Sequence, residues 1–209
     1  LTAPVAMGAP ISIADLLVRA DAGADLLLLD VRNDDEFAAW KFEPRIPVDT
    51  LHVPYFAFIE DPEASIARIP PGCELFVLCA KGGSSEMIAG MLEEAGVPAR
   101  NVEGGMVAYG DYLEPHEVTL VPGLPSVCEI WQVNRRGKGC LSYVVRSGME
   151  ALVVDPSRRV DFYLAFAASI GARFVRVIDT HVHADHVSGG PALAARAGAP
   201  YFVSAGEGS

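Results

Sequence analysis

The sequence predicts an α/β fold, a parallel sheet with flanking helices, on three observations. Short apolar runs end in polar or glycine-rich loops, as in DLLLLDVR (25–32) and ELFVLCAKGG (74–83). Runs of this kind are the pattern of strands buried on both faces. A segment with helical spacing follows each loop, and repeated strand–loop–helix units build a sheet with helices on its faces.

In chain order, ISIADLLVRADAG (11–23) predicts a helix, with Ser12 as its cap and Gly23 as its stop. The strand 25–32 follows, and NDDEFAAW (33–40) restarts a helix. The strand and glycine loop at 74–83 lead into SSEMIAGMLEEAG (84–96), a helix expected to carry a serine cap and a glycine stop. EGGMVAYGDY (103–112) closes a first domain assigned to residues 8–115. The stretch 115–127 holds three prolines and a glycine, and a linker is expected over 116–127.

From 128 to 209 the pattern becomes strand-rich. CEIWQVN (128–134), the basic turn RRGKG and CLSYVVRS (140–147) form a hairpin signal, and MEALVVDP (149–156) reads as a third strand. RRVDFYLAFAASIG (158–171) has helical character, and FVRVIDT (174–180) is an apolar strand. THVHADHVSGG follows at its C-terminal end, where open α/β sheets place ligand chemistry. A further helix is expected from Gly189, Gly190 and Pro191 onward.

The bulk properties bound the function. At 209 residues the chain accommodates one ordinary domain and part of a second, and 51% hydrophobic residues argue for packed globular material. A net charge of −11 disfavours nucleic acid and anionic membrane surfaces as partners. No apolar run reaches the roughly 18 to 20 residues of a membrane helix. The cysteines at 73, 79, 128 and 140 form no CxxC pair, which fits a reducing cytoplasm. The sequence opens on Leu1 and ends in GEGS shortly after YFV, and the expectation is a piece of a longer chain.

Cys79 carries the strongest chemical signal. It ends a strand and opens CAKGGSS, a loop running directly into a helix. Gly82 and Gly83 let the loop of Ala80, Lys81, Ser84 and Ser85 curl so that backbone N–H groups point at one centre. The helix N-terminus adds partial positive charge there, a setting that favours the anionic form of a thiol. The same cradle suits the sulfur of a persulfide or of thiosulfate, and Lys81 either adds a charge or points into solvent. The bland reading, a buried cysteine serving as a small hydrophobe, is the default for Cys73, Cys128 and Cys140.

Residues 10–114 resemble a rhodanese domain. LLLLDVRNDDEFAAW is similar to that family's first signature, VLCAKGGSS to its active-site loop and NVEGGMVAYGD to its closing signature. The resemblance implies a rhodanese-like parallel sheet and a Cys79 that accepts sulfane sulfur as a persulfide and passes it to a nucleophile. It also implies that Asp30 and Arg32 support the site region, with a purely structural ion pair as the alternative. Many rhodanese loops carry arginine five residues after the cysteine; here that position is Ser84. A guanidinium is the natural clamp for an oxyanion, so a persulfide of a low-molecular-weight thiol is favoured over thiosulfate as the donor.

HVHADH places His181, His183, Asp185 and His186 on one turn, and three of the five histidines of the chain fall there. Two imidazoles at i and i+2 can converge on one ion, and nitrogen and carboxylate ligands suit Zn(II) or Fe(II). The pattern resembles the HxHxDH signature of the metallo-β-lactamase fold, of which residues 128–209 look like the first part, an incomplete αββα fold. QVNRRGKGCLSYVV, VVDPSRRVD and IDTHVHADHVSGG resemble the branch containing persulfide dioxygenases and glyoxalase II. In the dioxygenases the resemblance implies Fe(II) held by His181 plus a later histidine and aspartate, expected beyond Ser209. In hydrolytic relatives His183, Asp185 and His186 also bind metal, with Zn(II) as the alternative ion. The expectation is a sulfurtransferase within a protein that oxidises a glutathione-type persulfide to sulfite with O2, as in hydrogen sulfide detoxification. The rivals are a glyoxalase II-like thioester hydrolase and a silent rhodanese module used for docking. Oligomeric state is left open.

Overall fold

The computed structural model describes residues 8–119, 128–182, 187–204 and 206. The chain divides into two compact units, Leu1–Tyr112 and Leu113–Ser209.

In the first unit the elements run α1 (Ile13–Asp21), β1 (Leu26–Asp30), α2 (Asp34–Ala39), β2 (Asp49–His52), α3 (Tyr55–Glu60), α4 (Pro62–Ile66), β3 (Glu74–Leu78), α5 (Gly83–Glu94), β4 (Ala99–Asn101) and α6 (Gly105–Asp111). The strands form one sheet in the order β2-β1-β3-β4, every neighbouring pair parallel. Strand side chains alternate between faces, and this divides the core in two. Leu26, Leu28, Phe76 and Leu78 pack with Leu16, Leu17 and Ala20 of α1 and Met106 and Tyr109 of α6. Leu27, Leu29, Leu75 and Val77 pack on the other face with Ile88, Ala89 and Leu92 of α5 and Phe58 of α3. Burial of both faces is the reason these strands read as unbroken apolar runs.

Two local expectations change. α5 carries no side-chain cap; it starts at Gly83 behind a left-handed Gly82 (φ 98°), with Ser84 and Ser85 inside its first turn. The stretch expected as a linker from residue 116 instead begins inside a strand, β5 (Glu114–Glu117), paired antiparallel with β6 (Glu129–Arg135). The expected linker residues 120–127 lie outside the described residues.

In the second unit β7 (Cys140–Ser147), β8 (Glu150–Val154), α7 (Val160–Ser169), β9 (Arg173–Asp179), α8 (Gly190–Ala197) and β10 (Tyr201–Val203) follow. Its sheet has the order β10-β9-β8-β7-β6-β5, antiparallel from β5 to β8 and parallel from β8 to β10. Val133, Val144, Val153 and Val177 meet Tyr163 and Ala167 of α7 and Leu193 and Ala194 of α8 in a single core. No helix among the described residues is long and apolar enough to cross a membrane.

Candidate active site

Cys79 follows directly on β3, which lies beside β1 at the centre of the first sheet. The chain leaves β1 towards β2 on one side and β3 towards β4 on the other. Their C-terminal ends therefore flank the switch point at which α/β sheets open a crevice. Strand parity continues through Leu75 and Val77 to Cys79, so the thiol faces α5 and is only 4% exposed.

The loop backbone is fixed by α6. Met106 N–H donates to Cys79 O (2.9 Å) and Val107 N–H to Ala80 O (3.0 Å). The two carbonyls that would otherwise compete for the site are thus consumed by helix N–H groups with no partner in their own helix. This docking needs a glycine at 105, which sits at φ 53°, where an added Cβ would lie 2.1 Å from Cys79 O. At Gly82 a Cβ would come within 2.9 Å of Gly104 N. Gly82 packs against Gly104 and Gly105 against the Cys79–Ala80 backbone, so that backbone approaches backbone where no side chain fits.

With the carbonyls turned away, the N–H groups face the other direction. Gly82 N–H donates to Cys79 Sγ (3.0 Å), and the buried Ser85 hydroxyl lies 3.1 Å from the same sulfur. The N–H groups of Gly83, Ser84 and Ser85 form the first turn of α5 and have no acceptor within the helix. One amide, that of Gly82, thus bonds the sulfur of Cys79 directly, and the N-terminus of α5 follows it in the chain, a setting that favours negative charge.

The other loop and supporting residues have distinct positions. Ser84 is half-buried and Lys81 exposed, and no ion pair of Lys81 occurs among the described residues. Arg32 (4% exposed) binds Asp30 (1% exposed) through Nε and Nη2, at 3.0 and 2.7 Å, and caps the carbonyls of Glu36 and Trp40 at 3.0 and 2.7 Å. Its donors are spent on the segment leading into and through α2. The pair braces that segment, and neither residue bonds Cys79.

In the second unit β8 and β9 are parallel neighbours, so Asp155 and Thr180 emerge side by side. Asp155 accepts from Thr180 N–H (2.7 Å) and Thr180 Oγ1 (2.8 Å), and Thr180 Oγ1 lies 2.8 Å from His181 Nδ1. A carboxylate acting through a hydroxyl on one ring nitrogen is the kind of support that orients a metal-ligating histidine. His183, Asp185 and His186 lie outside the described residues. Beyond them, Gly189 brings α8 against the loop after β8; a Cβ there would meet Ser157 O at 2.0 Å. Tyr201 donates to the buried Asp179 (2.7 Å). Burial first, then this hydrogen bond and the charges of Asp179 and Asp155, push the Tyr201 hydroxyl up to about 12.

Two features of the first site lie outside what residue types suggest. Asn101, at the end of β4, places Oδ1 2.7 Å from Ser85 Oγ, linking the closing motif to the cysteine loop. Gly105 permits the close approach by which Met106 and Val107 hold the loop carbonyls. The only sequence signal for either is their place in NVEGG.

Comparison with known proteins agrees with this layout. The model for the rhodanese-like domain matches residues 12–111, and that for the metallo-beta-lactamase superfamily matches residues 135–209. The putative sulfurtransferase YtwF of Bacillus subtilis (strain 168) is 31% identical over 105 residues, covering 50% of this chain and 93% of that protein. The adenylyltransferase and sulfurtransferase MOCS3-2 of Zea mays is 34% identical over 99 residues, 46% of this chain. The hydroxyacylglutathione hydrolase of Anaeromyxobacter dehalogenans (strain 2CP-C) is 37% identical over 78 residues, 37% of this chain. The chain spans 20% of the maize protein and 30% of the hydrolase. It belongs to the rhodanese-like family of sulfurtransferases, with metallo-beta-lactamase superfamily sequence following in the same polypeptide.

Proposed function

We propose that the first unit transfers sulfane sulfur through a persulfide on Cys79. The observation that carries this is the buried Cys79 Sγ bonded by Gly82 N–H and the Ser85 hydroxyl at the start of α5. The Cys79 thiolate attacks the outer sulfur of a donor. The new Cys79 S–S bond forms as the donor's own bond to that sulfur breaks, and the electron pair leaves with the donor fragment. Negative charge then sits on the outer persulfide sulfur, where the amides of Gly83, Ser84 and Ser85 stabilise it. An acceptor thiolate or cyanide takes that sulfur, and Cys79 leaves as thiolate. Ser84 stands where a guanidinium would clamp an oxyanion, which favours a small thiol persulfide over thiosulfate. Sulfur release to cyanide should be lost in Cys79→Ser, and undiminished turnover by that variant would refute the assignment.

For the second unit we infer a metal-dependent domain acting on a thiol conjugate, in a cytoplasmic protein. His181, with Nδ1 held by Thr180, would bind the metal through Nε2, and His183, Asp185 and His186 are the further candidates. Fe(II) bound there would supply oxygen activation for converting a glutathione-type persulfide to sulfite. A neighbouring unit handling sulfane sulfur supports this choice. The similarity to a hydroxyacylglutathione hydrolase supports a second reading, thioester hydrolysis, in which Zn(II) would serve. O2 consumption with glutathione persulfide against hydrolysis of a glutathione thioester, both on the full-length protein, separates the two.

A further inference from the structure

The Ser85 hydroxyl has one proton and three acceptors around it. Asn101 Oδ1 lies at 2.7 Å, Gly82 O at 3.0 Å and Cys79 Sγ at 3.1 Å. Ser85 is fully buried, so no solvent relieves the conflict. While Cys79 is a thiol, the shortest bond, to Asn101, holds the proton. Once the sulfur is charged, the hydroxyl gains more by turning to it, because hydrogen bonds to a charged acceptor are roughly twice as strong as neutral ones.

We propose that Asn101 is a positioning residue that competes with Cys79 for the Ser85 proton and thereby sets how readily the thiol ionises. This deepens the sulfur-transfer reading of Cys79 and rests on it. Ser85 and Asn101 then act in opposite directions on the sulfur: Ser85 stabilises the thiolate, and Asn101 withholds that stabilisation. When charge moves to the outer sulfur of a persulfide, the hydroxyl returns to Asn101, and the inner sulfur is left with Gly82 N–H alone.

Charged groups also stand on the surrounding elements. They are Lys81 on the loop, Glu86 on α5, Glu103 before α6 and the Asp30–Arg32 pair at the end of β1, with the titratable Tyr55 of α3 beside them. None of them hydrogen-bonds Sγ, whose partners among the described residues are Gly82 N–H and the Ser85 hydroxyl.

The test is the pH profile of Cys79 alkylation by iodoacetamide, followed by mass spectrometry of the Cys79 peptide so that the other three cysteines do not contribute. In the intact chain, Ser85→Ala should move the midpoint up by about one pH unit, the size of one lost bond to a charged group. Asn101→Leu, which keeps the volume and removes the acceptor, should move it down by about half a unit, roughly a threefold faster reaction below the midpoint. Asn101→Ala repeats that measurement should leucine fail to fold. The double variant S85A/N101L should match S85A, since Asn101 acts only through Ser85. A midpoint that rises or stays fixed in both Asn101 variants would overturn the proposal; a rise would mean that the amide NH2 faces Ser85 and supports the thiolate. Additive shifts in the double variant would overturn it as well. These readings concern the thiol alone. If Cys79→Ser retained sulfur transfer while the opposed shifts appeared, the functional reading would fail and the competition would stand.

Discussion

At the scale of single residues, the site depends on what glycine permits. Gly105 combines φ 53° with a Cβ position 2.1 Å from Cys79 O, whereas Gly96, at φ 81°, has nothing within 4 Å. Alanine at 96 should therefore cost only the left-handed penalty of about 1–2 kcal/mol. Alanine at 105 adds a backbone collision and should cost about 3 kcal/mol or more, with sulfur transfer lost; urea unfolding of the two variants checks the contrast. Cys79 and the loop glycines were legible in the sequence because their chemistry is local, a strand end followed by residues that let the chain curl. Asn101 was not. Its bond to Ser85 spans 16 positions and exists only because β4 pairs with β3, placing Asn101 beside Val77. Residue type cannot announce such a register. The Asp30–Arg32 pair was legible as a pair, but only the geometry assigns its remaining donors to Glu36 and Trp40.

At the scale of elements, the sequence disclosed those whose pattern is strong. β1 and β3 are uninterrupted apolar runs, and β6 and β7 flank a turn rich in glycine and basic residues. It concealed β2, which is half-exposed, and the two short helices α3 and α4. β5 was hidden by Pro115, since proline argues against a strand. The structure places β5 at the sheet edge, the position where a missing N–H is tolerated. The opposite edge, β10, carries a titration consequence. Tyr201 ionises at about 12 rather than 10.0, chiefly through burial. A raised folded value means its contribution is intact below about pH 10 and is lost as pH climbs through about 12. Absorbance of tyrosinate should show a late-titrating component that Tyr201→Phe removes. Because Tyr201 is 37% exposed, solvent screening limits the effect on stability.

At the scale of the whole molecule, the groups that build the Cys79 site among the described residues belong to the first unit, from Asp30 on β1 to Val107 on α6. Residues 8–112 expressed alone should therefore retain sulfur transfer to cyanide within about twofold of the intact chain, an order-of-magnitude expectation for additivity between independent parts. A loss of tenfold or more, with the fragment folded by circular dichroism, would contradict this. The docking of α6 onto the carbonyls of Cys79 and Ala80 has a further consequence, in time. A ribosome delivers the cysteine well before it delivers Met106 and Val107, so for a matter of seconds the loop exists without the contacts that aim its amides. On the sulfur-transfer role proposed for it, Cys79 meets its complete loop only when synthesis of the unit is nearly finished.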